Sequence, residues 1–522
     1  MTDVITLQMP NVDLGADTSL FRDLVNVWWK KRPQNITRSV YYDGEQALKD
    51  FGISLPPQMA GVKAALGWTA KGVHAVTDRS RFEGFVDSSG ETDPFDLEQV
   101  MWENRFRVEL PAAQVSSSVH GCSFLTVTPG DVQSGEPAVL VMARAADVSA
   151  AIWDPRRRQL KGFLSIVDVT DDGQPSEIIM YTPETVYTLA QTKTGWIVNA
   201  RPHLLGRVPA VPLVNKFELR RPLGHSRITR ASMYYNDAAL RTIVRAEVSS
   251  EFFSAPEYWV FGPDASQFAL DRWTAVMGRV KALDVEDNEA MPQLHRFQGS
   301  SPQPHTEMLR MWANLFADDQ DLDVKFADSS NPSSADAIFA AKETLITTTR
   351  DANALWGHGA VEAMQLAVQI RDNLEVVPDQ LRSLRASYTD PAIVSPSARA
   401  DAYSKIATSD PSFATSRVGR QYAGLSLEQI DQIEAEDRRG RVGDLVSALR
   451  QNPAASQPAS QPASQPASQD DLNQANVLKA KADALGVLRR AGVDADEAAR
   501  LAGLGDVKFI PGQPITIKTT DE

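Results

Sequence analysis

The sequence predicts an α+β fold that is mostly helical, and three observations predict it. After Ser226, a stretch of about 28 residues contains neither proline nor glycine until Pro256, roughly 42 Å of helix at 1.5 Å per residue. Residues 138–198 break into short runs of alternating apolar positions, with Asp154-Pro155 and Asp172-Gly173 as turns, the pattern of a small antiparallel sheet. A second long helical pattern opens at Ser333, with Asp336 completing a capping-box-like start, and continues to about Leu374.

Taken in order, residues 21–32 read as a short amphipathic helix with Leu24, Val27 and Trp28 on one side, and 35–51 as a second helix after Pro33. Residues 66–85 read as a helix entering a strand. Residues 102–119 read as another helix, which passes through His120-Gly121 into a strand at 123–127. The strand expected at 208–215 contains Pro209 and Pro212, which confines it to a sheet edge because proline donates no ladder hydrogen bond. Ser226 is the expected N-cap of the long helix.

Three strand-like pieces follow within 256–299, and then 305–316 with Leu309, Trp312 and Phe316 aligned at helical spacing. An acidic loop is expected over 317–331, and Gly357 and Gly359 predict a kink in the second long helix. Residues 398–449 read as amphipathic helices. The uncharged Ser-Gln-Pro-Ala repeats of 452–469 can bury no core and read as a flexible linker. Two short helices and one strand-like piece complete the tail.

Composition narrows the function. The 522 residues are 43% hydrophobic, enough for substantial cores and more than one subdomain. No apolar run is long enough to span a membrane, and the N-terminus lacks a signal-peptide pattern. The single cysteine, Cys122, excludes intramolecular disulfides and fits assembly in a reducing cytosol. A net charge of −14 argues against a protein that coats DNA, but leaves room for one that DNA slides past.

Catalytic motifs are missing. The nearest phosphate loop, Gly130 to Gly135, is followed by Glu136, which would repel a nucleotide. Gly224-His225-Ser226 lacks the second glycine of a nucleophile elbow, so Ser226 reads as a cap. The histidines are scattered, and His120 beside Cys122 lacks a motif. Asp319, Asp321 and Asp323 mimic a calcium loop until Val324 and Ser330 occupy the positions that need glycine and glutamate. No cofactor, metal or enzymatic activity is expected. Arg227, Arg230, Arg241 and Arg245 fall within about 60° on a helical wheel. That stripe is either a solvated or intersubunit salt-bridging face or a basic surface near a phosphate backbone.

Residues TDRSRFEGF (77–85), Trp102-Glu103-Asn104, HGCSFLTV (120–127), WDPRRR (153–158) and GRVPAVPLVN (206–215) continue into RPLGHSRIT (221–229), SAPEYWVFG (254–262), NPSSADAIFAAKETL (331–345) and TDPAIVSPSARADAYSKI (389–406). In this order and spacing, over about 20–450, the chain resembles the portal (head-to-tail connector) proteins of tailed bacteriophages, the siphovirus type of actinobacterial phages.

The resemblance implies a cyclic ring of twelve copies divided into wing, stem, clip and crown. It implies a wing at 1–225, a first stem helix at 226–254, a clip at 255–304 and a second stem helix at 305–316. A tunnel loop at 317–332, a long helix returning to the wing at 333–395 and a crown at 396–450 follow, with the linker 451–470 and tail 471–522 outside the family plan. DNA-channel candidates are then Asp318, Asp319, Asp321, Asp323 and Lys325, with the four arginines. Candidates for docking the terminase motor and later the head–tail adaptor are Tyr258, Trp259, Phe261 and Trp273. Implied partners are further copies of the chain, double-stranded DNA read without sequence specificity, the terminase large subunit, the adaptor, and major capsid and scaffold proteins. The implied location is the capsid portal vertex of the virion, after assembly in the host cytoplasm. The competing readings are another capsid protein, shell or scaffold, and a DNA-processing enzyme.

Overall fold

The computed structural model describes residues 9–48, 64–87, 93–253, 257–262, 280–284, 293–297, 301–322, 335–392, 396–425, 429–437 and 439. The chain divides into two compact units, Met1–Glu436 and Asp437–Glu522, and every element named below belongs to the first. The linker and tail, residues 323–334 and Trp273 lie outside the described residues.

The first half builds two antiparallel sheets and their helical cover. Helix α1 (Thr18–Tyr42) is followed by α2 (Trp68–Thr77), strand β1 (Phe82–Val86), α3 (Leu97–Glu103) and α4 (Phe106–His120). Strands β2 (Cys122–Pro129) and β3 (Val139–Ala145) pair with the later β9 (Ala210–Val214) in the order β3-β2-β9. Between them, β4 (Ser149–Asp154), β5 (Gln159–Val169), β6 (Pro175–Tyr181), β7 (Thr185–Thr192) and β8 (Gly195–Pro202) form a five-stranded meander. The expected edge position of the proline-bearing strand holds: β9 pairs with β2 alone, with Pro212 opposite Phe124.

The second half contributes α5 (Arg230–Phe253), a three-stranded sheet, and then α6 (Gln303–Asp319) and α7 (Ala335–Arg371). The sheet consists of β10 (Glu257–Gly262), β11 (Val280–Asp284) and β12 (Gln293–Phe297) in the order β11-β10-β12. Short α8 (Asp379–Arg382), β13 (Arg385–Tyr388), α9 (Pro396–Ser409), α10 (Pro411–Thr415) and α11 (Arg417–Tyr422) complete the described chain. The α+β mixture, the strands of the insert and the helices flanking it agree with the sequence expectation.

Four local readings are corrected. Residues 21–51 do not form two helices: α1 runs through Pro33, because packing on both sides outweighs the roughly 3 kcal/mol that proline costs a helix interior. Trp28 donates its indole N–H to Asp147 O at 2.9 Å before the proline, and Asn35 Nδ2 donates to Ala146 O at 2.9 Å after it. The helix expected over 102–119 is two, split where Arg105 adopts left-handed φ of 49°. Ser226 is not the cap of α5. Thr229 is, accepting from Ser232 N at 3.0 Å, and the helix has 24 residues, roughly 36 Å. Finally, α7 runs 37 residues as one helix through Gly357 and Gly359. A Cβ at Gly359 would stand 2.9 Å from Pro212 O, so that glycine allows β9 to approach closely.

The main core lies between α4, α7 and the three-stranded β3-β2-β9 sheet. Trp356 is fully buried there, and its indole donates to Ser117 Oγ at 3.1 Å. Ser117 in turn donates to Leu213 O on β9 at 2.9 Å, which links helix, helix and sheet. Phe82, Phe85, Phe106 and Tyr388 pack edge-on beside it and hold the β1–β13 ribbon. A second core sits under α1, where Leu24 and Trp28 cover Leu164, Ile178 and Met180 of the meander. Phe124 and Phe163, with ring centres 4.6 Å apart, join the two sheets.

Candidate functional site

The helices α5 and α6 form an antiparallel pair. The start of α5 meets the end of α6, where Thr229 Oγ1 donates to Asp319 Oδ2 at 3.2 Å. Further along, Tyr235 stacks on Trp312 at 6.5 Å and Tyr234 meets it edge-on at 6.1 Å. Phe316 is buried and packs against Trp68 of α2. Of Leu309, Trp312 and Phe316, aligned in the sequence, Trp312 and Phe316 pack against α5 and α2, and Leu309 is half-buried.

The outer face was not expected. Met308, Met311 and Leu315 are 42%, 45% and 40% exposed, and the i, i+3, i+7 spacing puts them on one side of α6. Tyr234 is exposed on α5 beside Trp312. The signal in the sequence was a helix with apolar residues on two sides, of which only one was assigned.

The junction between this pair and the body is a buried polar knot around Arg227. Its Nε donates to Gly72 O of α2 at 2.9 Å, and its Nη2 donates to Gln320 O at 2.6 Å. Gln320 Nε2 returns a hydrogen bond to Arg227 O at 3.0 Å and also donates to Asp319 Oδ2 at 2.7 Å. Gly72 leaves room for Gln320, whose Oε1 would stand 2.8 Å from a Cβ at that position.

The C-terminus of α6 carries orphan carbonyls and a partial negative charge, to which Asp318 and Asp319 add. Arg227 places a cation against that end. Burial lowers the pKa of its guanidinium, and Asp321 and Asp319 oppose the shift by favouring the charged form.

This corrects the acidic-loop reading. Asp318 and Asp319 lie in the last turn of α6. Asp321 adopts left-handed φ of 55° in a Schellman-type end, with Leu322 N donating to Ala317 O at 2.8 Å. Glycine usually marks that position, and its absence hid the true end of the helix. Asp321 also accepts from Thr348 Oγ1 of α7 at 3.2 Å. Asp318 is exposed; Asp323 and Lys325 lie outside the described residues.

The arginine stripe is corrected too. Arg227 precedes the helix and is 4% exposed, and Arg241 is 7% exposed, so neither presents a surface to a duplex. Arg230 is exposed and Arg245 half-buried. Tyr258, Trp259 and Phe261 lie on β10, the central strand of the small sheet.

The catalytic look-alikes are occupied. The Ser226 hydroxyl donates to Val119 O and accepts from Ile228 N. Cys122 is buried, and burial pushes its thiol up to about 12. Among the described residues, no group of three His, Cys, Asp or Glu side chains is placed to hold a metal, and no helix is long and apolar enough to cross a membrane.

Residues 22–440 match the family model of phage portal proteins of the SPP1 Gp6-like type. The chain belongs to this portal protein family. It is 26% identical to a portal protein of Mycobacterium phage D29 over 476 residues, covering 87% of this chain and 97% of that one. It is 25% identical to a portal protein of Mycobacterium phage L5, covering 87% and 96%. A chain from the virion of a native gene transfer agent particle aligns at 12% identity with a TM-score of 0.36, covering 75% of this chain and 99% of that one. The membership agrees with the resemblance carried by the sequence motifs, and portal family members are structural proteins.

Proposed function

We propose that twelve copies of this portal family chain close into a ring at one capsid vertex of the virion, around a channel through which double-stranded DNA is packaged and ejected. In this reading 1–225 is the wing, α5 and α6 are the stem helices, and the sheet β10–β12 is the clip. Residues 317–332 form the tunnel segment, 333–395 the long helix returning to the wing, and 396–450 the crown. The clip docks the terminase large subunit and later the head–tail adaptor, with Tyr258, Trp259 and Phe261 on its central strand as the contact candidates. Major capsid and scaffold proteins meet the outer body, and assembly takes place in the host cytoplasm.

The observation that carries the ring is the outer stripe of Met308, Met311 and Leu315. Full burial of such a side chain is worth about 1.5–3 kcal/mol, and a little under half of each remains exposed, so a neighbouring copy that covers all three gains roughly 2–4 kcal/mol at each seam. The patch on one copy meets a different patch on the next, the heterologous contact from which closed rings are built. Arg227 and Arg241 drop out of the channel lining because they are buried; Asp318, Asp319, Asp321, Asp323, Lys325, Arg230 and Arg245 remain its candidates.

Purified chain provides the test. Twelve copies of 57.2 kDa amount to roughly 0.7 MDa, to be read by native mass measurement alongside negative-stain images of a holed, turbine-shaped particle. A stable monomer or dimer under all conditions would overturn the ring, and a hexamer-and-pentamer shell lattice would favour a capsid tile.

A further inference from the structure

A cavity of about 520 Å³ lies between α1, the start of β2, strand β4 and the loop 215–225. Lys31, Arg38, Arg220, Arg221, His120 and His225 line it, and no carboxylate does. In a chain of net charge −14, gathering four permanent cations without an acid among them is costly self-repulsion.

Among the described residues none of the four forms an ion pair with Asp or Glu. The nearest acid on the loop, Glu218, is engaged by His225 Nε2 at 2.8 Å. Phe124, Ala150, Ala151 and Leu223 supply apolar parts of the wall, and Gln34, Asn35 and Ser149 add neutral polar groups that place no counter-charge beside the cations. Cys122 supplies no negative charge there, since burial pushes its thiol up to about 12.

Two of the four cations are held in place by hydrogen bonds. Arg38 Nη1 donates to His120 O at the end of α4, which fixes the guanidinium at the cavity wall. Burial lowers the Arg38 pKa; Cys122 opposes that shift, and Arg221 adds a smaller lowering. Arg221 donates Nη1 to His225 Nδ1 at 2.9 Å and keeps its other N–H groups. Gly224, at φ +72°, pins this loop against the body: a Cβ there would stand 2.6 Å from Gly121 O. His120 Nδ1 is buried with no hydrogen-bond partner.

We propose that this cavity binds a phosphate group, its oxygens held by Arg38, Arg220, Arg221 and Lys31, with His120 as a further partner. Guanidinium forks match phosphate oxygens in pairs, and a dianion balances more of the four cations than one carboxylate would. The cavity volume falls within the range of small-ligand sites. The phosphate is either free inorganic phosphate or the terminal phosphate of a DNA strand.

The test titrates the full-length chain with inorganic phosphate at constant ionic strength, read by calorimetry and by 31P line broadening. Saturable binding is expected. Loss of one charge-assisted hydrogen bond in Arg221→Gln or in Lys31→Gln is expected to weaken it about tenfold. Arg221 and Lys31 are exposed, so circular dichroism should report an unchanged fold in both variants. Competition by a short duplex with 5′-phosphates, but not by one with 5′-hydroxyls, would support the site and assign it to DNA ends. Phosphate binding that neither duplex disturbs would support free phosphate as the ligand. No saturation by phosphate concentrations on the order of 10 mM, or unchanged affinity in both variants, overturns the proposal. So does displacement of phosphate by a glutamate-rich peptide at lower concentration, which would make the ligand an acidic protein segment. None of these outcomes bears on ring formation.

Discussion

The body around Trp356 and the α5–α6 pair solve the same problem in different ways. Around Trp356 the large apolar side chains find their cover within the chain: α7 presses on the β3-β2-β9 sheet, α4 packs beside it, and the Trp356–Ser117–Leu213 relay satisfies the polar atoms that such packing buries. The pair covers itself on one side only. Trp312 and Phe316 pack inward, while Met308, Met311 and Leu315 face away. A region completed by its own chain is stable in isolation, whereas a region with an uncovered apolar stripe keeps part of its stabilisation for association. Between them stands Arg227, which is less a functional cation than the fastening that joins the two.

The contrast can be broken most forcefully in the body. Trp356→Ala should lower stability by about 4 kcal/mol, through the cavity it leaves and the partner that Ser117 loses. Denaturant unfolding followed by far-UV circular dichroism checks it, and a loss below about 1 kcal/mol would mean that the core is looser than its burial implies. Next in size is the fastening. Arg227→Met should cost about 3 kcal/mol, since Gly72 O and Gln320 O lose a charged donor and the end of α6 loses its cation. Hydrogen exchange should quicken in the last turns of α6 while the amides around Trp356 stay protected. Equal quickening in both regions would show that the two unfold as one. The smallest effect belongs to the outer stripe. Leu315→Ser should lower the stability of the dissociated subunit by only about 1–2 kcal/mol, because the side chain is 40% exposed and loses just the apolar contact that its covered part makes. The same substitution should weaken association measurably in sedimentation, and a large loss of monomer stability would show that the stripe is covered within the chain.

Much of this was legible in the sequence where a single local rule decides the outcome. Pro209 and Pro212 put β9 at an edge, the alternation over 138–198 gave strands, and the unbroken run after Ser226 gave the long helix. The misses arose where distant contacts overrule local signals. Pro33 reads as a stop because its cost is local, whereas Trp28 and Asn35 gain their partners from the strand region more than a hundred residues away. Gly359 reads as a kink because the approach of Pro212 cannot be seen along the chain. The acidic run 318–323 reads as a loop because Asp321 fills a left-handed position that usually announces itself as glycine. The arginine stripe failed for a related reason. A helical wheel records direction but not depth: Arg241 is buried on α5, and Arg227 is buried before the helix begins.

The meeting of Thr229 with Asp319 has one more consequence. The chain leaves the body at one point and, after α5, the small sheet and α6, comes back to the same point. Seen topologically, residues 230–318 are a detour with adjoining ends, the arrangement in which insertions and exchanges are tolerated without rethreading the rest. Lengthening, shortening or replacing the middle of the detour leaves the return address fixed. The insertion can therefore vary in length and sequence independently of the core around Trp356.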